Sequence, residues 1–169
     1  LELSSAASDV YKRQVITSGE AAMHAINQKK FGETFFHLGP ERDISVFEKV
    51  KDNRTDLHSC EFILCTGLFD DYDNDLDYYK KFLLKHISKK LICTNPDLIV
   101  HRGNTEELCA GSVAKVFEDL GGEVIYFGKP HKEIYNMCFG SNEKVLAIGD
   151  NLRTDIKGAN NLKIDCIFI

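Results

Sequence analysis

At 169 residues, with 43% hydrophobic and 28% charged side chains, the chain has the composition of a globular protein rather than of a disordered tail. No apolar run approaches the roughly 20 residues that a membrane-crossing helix needs. A net charge of −5 argues against a nucleic-acid surface, which carries a Lys/Arg excess to displace counterions.

Leu1 to Gln14 begins without Met and lacks the basic-then-apolar order of a signal peptide. Its string Ser4-Ser-Ala-Ala-Ser-Asp-Val-Tyr-Lys-Arg-Gln14 resembles translated adaptor sequence. Residues 1–14 are therefore set aside as non-native, with a flexible native arm as the competing reading. From Val15 onward, apolar runs of strand length alternate with amphipathic stretches of helix length, the pattern of an α/β chain with mostly parallel strands. Val15-Ile16-Thr17 reads as a strand end, Ser18 as the cap of a helix from Gly19 to Lys29, and Thr34 to Leu38 as the next strand. Ile44, Phe47 and Val50 keep helical spacing.

Glu61 to Cys65 predicts a strand, and Leu76 to Ile87 a helix with Leu76, Tyr79, Leu83 and Ile87 on its apolar face. The acidic tract Asp70-Asp-Tyr-Asp73-Asn-Asp75-Leu-Asp77 suits the positive end of that helix, and Lys80, Lys81 and Lys85 suit its other end. As a calcium loop the tract fails, with Leu76 where Gly is needed and Phe82 where the bidentate Glu belongs. Leu91 to Cys93 is the next strand. Asn104-Thr-Glu-Glu107 predicts a capping box opening a helix that ends at Leu120, with Gly121 just beyond it. Strand Glu123 to Phe127, a helix after Pro130, strand Lys144 to Ile148, helix Leu152 to Asn160 and strand Asp165 to Ile169 complete the chain. The last strand runs to the final residue without cap or tail, which reads as a cut. Six cysteines, at 60, 65, 93, 109, 138 and 166, form no Cys-x-x-Cys pair and no zinc or disulfide spacing, so the expected compartment is the reducing cytoplasm.

The chemistry concentrates near the C-terminus, in Val145-Leu-Ala-Ile-Gly-Asp150-Asn-Leu-Arg-Thr-Asp155 and in Phe127-Gly-Lys129-Pro130. In open α/β sheets ligands sit outside the carboxyl ends of the strands, where Asp150 falls. Asp155 follows in the first turn of the next predicted helix, so both carboxylates can face one crevice. A hard cation such as Mg²⁺ is held by one or two carboxylates plus waters and a substrate phosphate. Lys129 offers a compact positive charge for phosphate oxygens. Taken singly, each piece reads as a turn, a first-turn carboxylate or a loop lysine; their joint order gives the site. Gly121 to Lys129 is not a phosphate-binding loop, since its spacing is wrong and Pro130 holds the Ser/Thr position, and no Gly-x-Gly-x-x-Gly supports a dinucleotide. His131 reads as a solvated helix-start histidine, and Tyr78, Tyr79 and Phe82 as a packing face.

Phe127-Gly-Lys-Pro followed by Gly149-Asp-Asn-Leu-Arg-Thr-Asp155 resembles the third and fourth motifs of haloacid dehalogenase superfamily phosphatases. Cys93-Thr-Asn-Pro-Asp97 and Gly111 within Leu108-Cys-Ala-Gly-Ser resemble the subclass with a large α/β cap, subclass IIA, which includes p-nitrophenyl, pyridoxal-phosphate and phosphoglycolate phosphatases. The resemblance covers Val15 to Ile169. It implies a partial Rossmann-like core with a parallel sheet plus an inserted α/β cap: residues 15–30 lead from the core into the cap, residues 31–123 form the cap, and residues 124–169 carry the lysine and metal motifs. It implies Lys129 as the catalytic lysine that stabilises an aspartyl-phosphate, Asp150 and Asp155 as Mg²⁺ residues, and Asn95, Asp97 and Asn151 as substrate-binding residues. The expected partner is a small phosphorylated metabolite, with a homodimer formed through the cap. The family's Asp-x-Asp nucleophile has no counterpart here: Val15-Ile-Thr-Ser-Gly-Glu20 resembles the later segment leading into the cap, and the triplets of the acidic tract do not directly follow an apolar strand. The expectation is an N-terminally truncated, inactive phosphatase fragment, with a non-catalytic metal- or phosphate-binding module as the alternative.

Overall fold

A computed structural model describes residues 15–103, 105–140 and 142–169; the adaptor-like segment 1–14 and Asn104 lie outside the described residues. The chain divides into two compact units, one made of Ser18–Gly128 and the other containing Lys129–Ile169.

The first unit opens with helix α1, Ser18–Asn27, whose Ala21, Ala22, Ala25 and Ile26 are buried on one stripe, as 3.6-residue periodicity demands. Strand β1, Phe35–Leu38, leads into a run of 3₁₀ turns, Glu41–Asn53, broken at Phe47 and Val50 where the backbone leaves helical geometry. The helical spacing of Ile44, Phe47 and Val50 thus yields tighter turns, with Phe47 alone of the run buried. Strand β2, Phe62–Cys65, precedes helix α2, Leu76–Leu83, which tightens to a 3₁₀ turn over Leu84–His86. Asp75 caps α2, its Oδ1 accepting from the Tyr78 N–H at 2.9 Å, and Asp70 pairs with Arg42, so the acidic tract serves the helix start and the surface. Strand β3 is Lys90–Cys93.

No helix opens at the proposed capping box: Thr105–Leu108 is strand β5, paired antiparallel with β4, Ile99–Arg102. Gly103, at φ 63°, turns the chain between them. Helix α3 starts only at Ala110 and runs to Asp119, and β6 is Glu123–Tyr126. Val15–Thr17, expected as a strand end, lies in no strand.

Strands β1, β2, β3 and β6 form one parallel sheet in that order, with Phe35, Phe62, Lys90 and Glu123 in register. All four residues of β2 are buried, as expected for a parallel strand covered on both faces. Leu38, Ile63, Leu83, Leu91, Val113 and Phe117 belong to the core, and the Phe35 ring stacks on Phe62 at 5.8 Å. Tyr79 is fully buried and its hydroxyl accepts from the Phe69 N–H at 2.6 Å. His37, 1% exposed, sits against the Phe47 ring with Nε2 2.9 Å from Thr66 Oγ1, while its Nδ1 has no partner among the described residues. Burial, and then the Arg54 charge, lower its pKa to about 4 against the opposing pull of Asp43 and Glu41.

The second unit carries helix α4, Lys132–Cys138, strand β7, Leu146–Gly149, a wide π-turn over Leu152–Ile156, helix α5, Lys157–Leu162, and strand β8, Asp165–Phe168. β7 and β8 pair in parallel, Leu146 beside Asp165 and Gly149 beside Phe168. Among the described residues no helix is long and apolar enough to cross a membrane.

Candidate functional site

The site is assembled where β7 ends. Gly149 is its last residue, and a Cβ there would lie 2.3 Å from the Asp155 Cβ and 2.6 Å from its Oδ2. The Asp155 side chain therefore rests directly on the glycine backbone, a close approach that only a residue without Cβ allows. The turn that brings it there is irregular: the Asn151 carbonyl accepts from both the Asp155 N–H, at 2.9 Å, and the Ile156 N–H, at 3.2 Å. Asn151 also holds the turn with its side chain, Oδ1 accepting from the Arg153 N–H at 2.8 Å. A π-turn inside a helix start is often a functional feature, and here it rotates a carboxylate toward the strand end.

Both oxygens of Asp155 are engaged. Oδ1 accepts from Lys129 Nζ at 2.5 Å and Oδ2 from the Asn151 N–H at 3.2 Å. The carboxylate is 10% exposed while the lysine side chain is 51% exposed, so the ammonium bridges a buried anion and open solvent. Burial pushes the Asp155 carboxyl up, but the Lys129 bond and charge and the backbone N–H groups of Asn151 and Asp150 outweigh it and leave it below its ordinary value. It is ionised at neutral pH. Asp150 is exposed, and its side chain makes no hydrogen bond among the described residues. Tyr135 of α4 approaches from the side: burial, then the Asp155 charge, raise its phenol.

The sequence-predicted residues thus separate into two groups. Lys129, Asn151 and Asp155 meet in direct contact, with Asp150 adjoining them on the chain. Asn95 and Asp97 belong to the other unit, on the loop after β3, where Asn95 Oδ1 accepts from the Asp97 N–H at 3.1 Å and the Asp97 carbonyl accepts from the Gly111 N–H at 3.1 Å. Gly111 is essential to that loop, since a Cβ would stand 2.4 Å from the Pro96 carbonyl oxygen. Sequence reasoning did not single out Gly149 as a site residue, nor Tyr135. The glycine had a signal, its place between an apolar run and Asp150; Tyr135 had none, because its contact is made across the fold.

Among the described residues no three His, Cys, Asp or Glu side chains form a metal cage. The donors present nonetheless fit Mg²⁺, which takes one or two carboxylates and fills its other positions with water and phosphate oxygens. Asp150 and Asp155 are the residues that would hold it, each through hard carboxylate oxygens.

Residues 126–169 match the family model described as HAD-hydrolase-like. A haloacid dehalogenase-like hydrolase from Brucella suis superposes with a TM-score of 0.79 at 33% identity, covering 92% of this chain and 63% of that one. A 4-nitrophenylphosphatase from Thermotoga maritima gives a TM-score of 0.67 at 29% identity, over 91% of this chain and 60% of its own. A p-nitrophenyl phosphatase from Archaeoglobus fulgidus, 19% identical, shares the fold with a TM-score of 0.67 over 89% of this chain and 59% of its own. The chain spans less than two thirds of the length of these structures. No curated protein matches it.

Proposed function

Because the chain belongs to the haloacid dehalogenase-like hydrolases, we propose that it carries the cation- and phosphate-holding half of a Mg²⁺-dependent phosphomonoester hydrolase, of the subclass with a large α/β cap. The observation that carries this reading is the Lys129–Asp155 pair, a half-exposed ammonium anchored on a buried carboxylate beside the exposed Asp150 at a strand end. Asp155 holds the ammonium in place, so that Lys129 meets the oxygens of an incoming phosphate with little reorganisation. Asp150, unencumbered, is the first carboxylate for a cation, with Asp155 beside it. Mg²⁺ bound there supplies charge neutralisation for the phosphoryl oxygens. Asn151 shapes the turn, and Asn151, Asn95 and Asp97 are carried over from the family resemblance as substrate-binding residues. The substrate is a small phosphorylated metabolite of the cytoplasm, and the cap supports a homodimer.

None of the aspartates in these 169 residues follows an apolar strand as Asp-x-Asp, so the polypeptide by itself has no group to accept the phosphoryl and does not turn over. That absence also favours the second reading, a module that binds metal and phosphate without cleaving. Electron paramagnetic resonance titration with Mn²⁺, and release of phosphate from p-nitrophenyl phosphate with Mg²⁺, test both. The expected result is Mn²⁺ binding that Asp150→Ala abolishes, together with no phosphate release above buffer. Release that disappears in Asp150→Ala would overturn the inactivity; a chain that binds no Mn²⁺ would overturn the site.

A further inference from the structure

The wall behind Asp155 is built from two glycines and one tyrosine, and the phosphate-site reading gives the tyrosine no role. Gly149 supplies the floor on which the Asp155 side chain lies. Three residues beyond Asp155, Gly158 is buried in the first turn of α5, and a Cβ there would lie 2.0 Å from the Tyr135 hydroxyl oxygen and 2.8 Å from its Cζ. The bare Cα of Gly158 therefore meets the polar tip of the phenol rather than the flat of its ring. Turn and tyrosine are fitted to one another with no room for one carbon more. The same turn begins at Asn151, whose N–H and carbonyl both hold Asp155.

We infer that Tyr135 is a positioning residue: its hydroxyl, seated on Gly158, fixes the turn that presses Asp155 onto Gly149 and so holds the carboxylate against Lys129 and the Asn151 N–H. The inference rests on the reading of Asp150 and Asp155 as a cation site, and adds what sets that site's geometry. A role of simple core filling would depend on the ring and be indifferent to one oxygen atom. Positioning makes the oxygen and the missing Cβ a matched pair.

The test uses the full chain with three readouts: Mn²⁺ affinity by paramagnetic resonance, the metal-free position of the Asn151 amide cross-peak, and the thermal midpoint. Gly158→Ala drives a methyl into the hydroxyl and is expected to weaken Mn²⁺ binding about 10-fold, the usual scale for residues that support metal ligands, and to move the Asn151 peak. Tyr135→Phe, which opens a gap of one oxygen, is expected to move the same peak and weaken binding by a smaller factor. Combined, the two substitutions exchange an oxygen for a methyl in the same space, and both readouts return toward wild type. Gly122→Ala, whose new methyl would meet the Phe117 ring at 2.3 Å in the other unit, lowers the midpoint and leaves both readouts unchanged. An unmoved Asn151 peak with unchanged affinity in either single variant, or no recovery in the double variant, overturns the inference. A wild-type chain that binds no Mn²⁺ removes the cation reading instead, and the metal-free Asn151 peak then decides the positioning role alone.

Discussion

Asp155 keeps its charge in a buried position because three neighbours are arranged for it: an ammonium on one oxygen, a backbone N–H on the other and a glycine beneath. Gly149→Ala places a methyl where Asp155 Cβ and Cγ already lie, so the carboxylate must swing off Lys129. The expected cost is about 1–3 kcal/mol of stability by urea unfolding and a loss of Mn²⁺ affinity of about 10-fold or more by paramagnetic resonance. That Lys129 and Asp155 come together beside Asp150 was legible in the sequence, because their order and spacing follow from one strand end and one turn. Gly149 had a signal in its place between an apolar run and Asp150, but Tyr135 had none, because its contact is made across the fold, which spacing does not encode. The same holds for His37, which lies within an apolar strand and gives no outward sign of its burial. Its folded pKa, about 4, lies below its ordinary 6.5, so the unfolded chain binds more protons between those values. Its contribution to stability is complete above pH 6.5, is lost as pH falls toward 4, and levels off below. The loss amounts to about 3 kcal/mol at most. Thermal midpoints measured from pH 7 to pH 4 should fall more steeply for the wild type than for His37→Gln.

The elements follow the sequence wherever one period dominates. α1 and the sheet strands were legible because their apolar residues recur at the spacing of a buried stripe or run without interruption. The stretch from Ile99 to Leu108 was not, since Thr105-Glu-Glu-Leu108 satisfies a helix-start pattern and a strand pattern equally well. Pairing with Ile99–Arg102 through a glycine turn settles it as a hairpin, a contact with no helical equivalent. α3 then begins where Gly111 can touch the Asn95–Asp97 loop. Gly111→Ala sets a methyl against two backbone carbonyls that have nowhere to yield. It should cost about 1–3 kcal/mol by denaturant unfolding, with the Asp97 amide shifting most in the cross-peak map. The length of Leu76–Ile87 was legible and its tightening at Leu84 was not, because the apolar face continues through both geometries.

Across the whole molecule, alternation of strand and helix announced an α/β chain, and the parallel ladders of both units bear that out. Their interiors differ: the first unit seals β2 completely, whereas in the second Leu146, Ile148 and Ile167 remain more than two fifths exposed. No disulfide joins the six cysteines among the described residues, and they are distributed by depth. Cys65 and Cys93 sit side by side in register on β2 and β3, where burial holds the first thiol well above its ordinary value and pushes the second to about 12. Cys138 is exposed. A thiol reagent applied to the native chain should mark Cys138 at once, and reach Cys65 and Cys93 only when β2 and β3 part. Mass spectrometry of the labelled residues over time would check the order. Two neighbouring buried sulfurs thus serve as an internal clock, recording how often the sheet opens without any added probe.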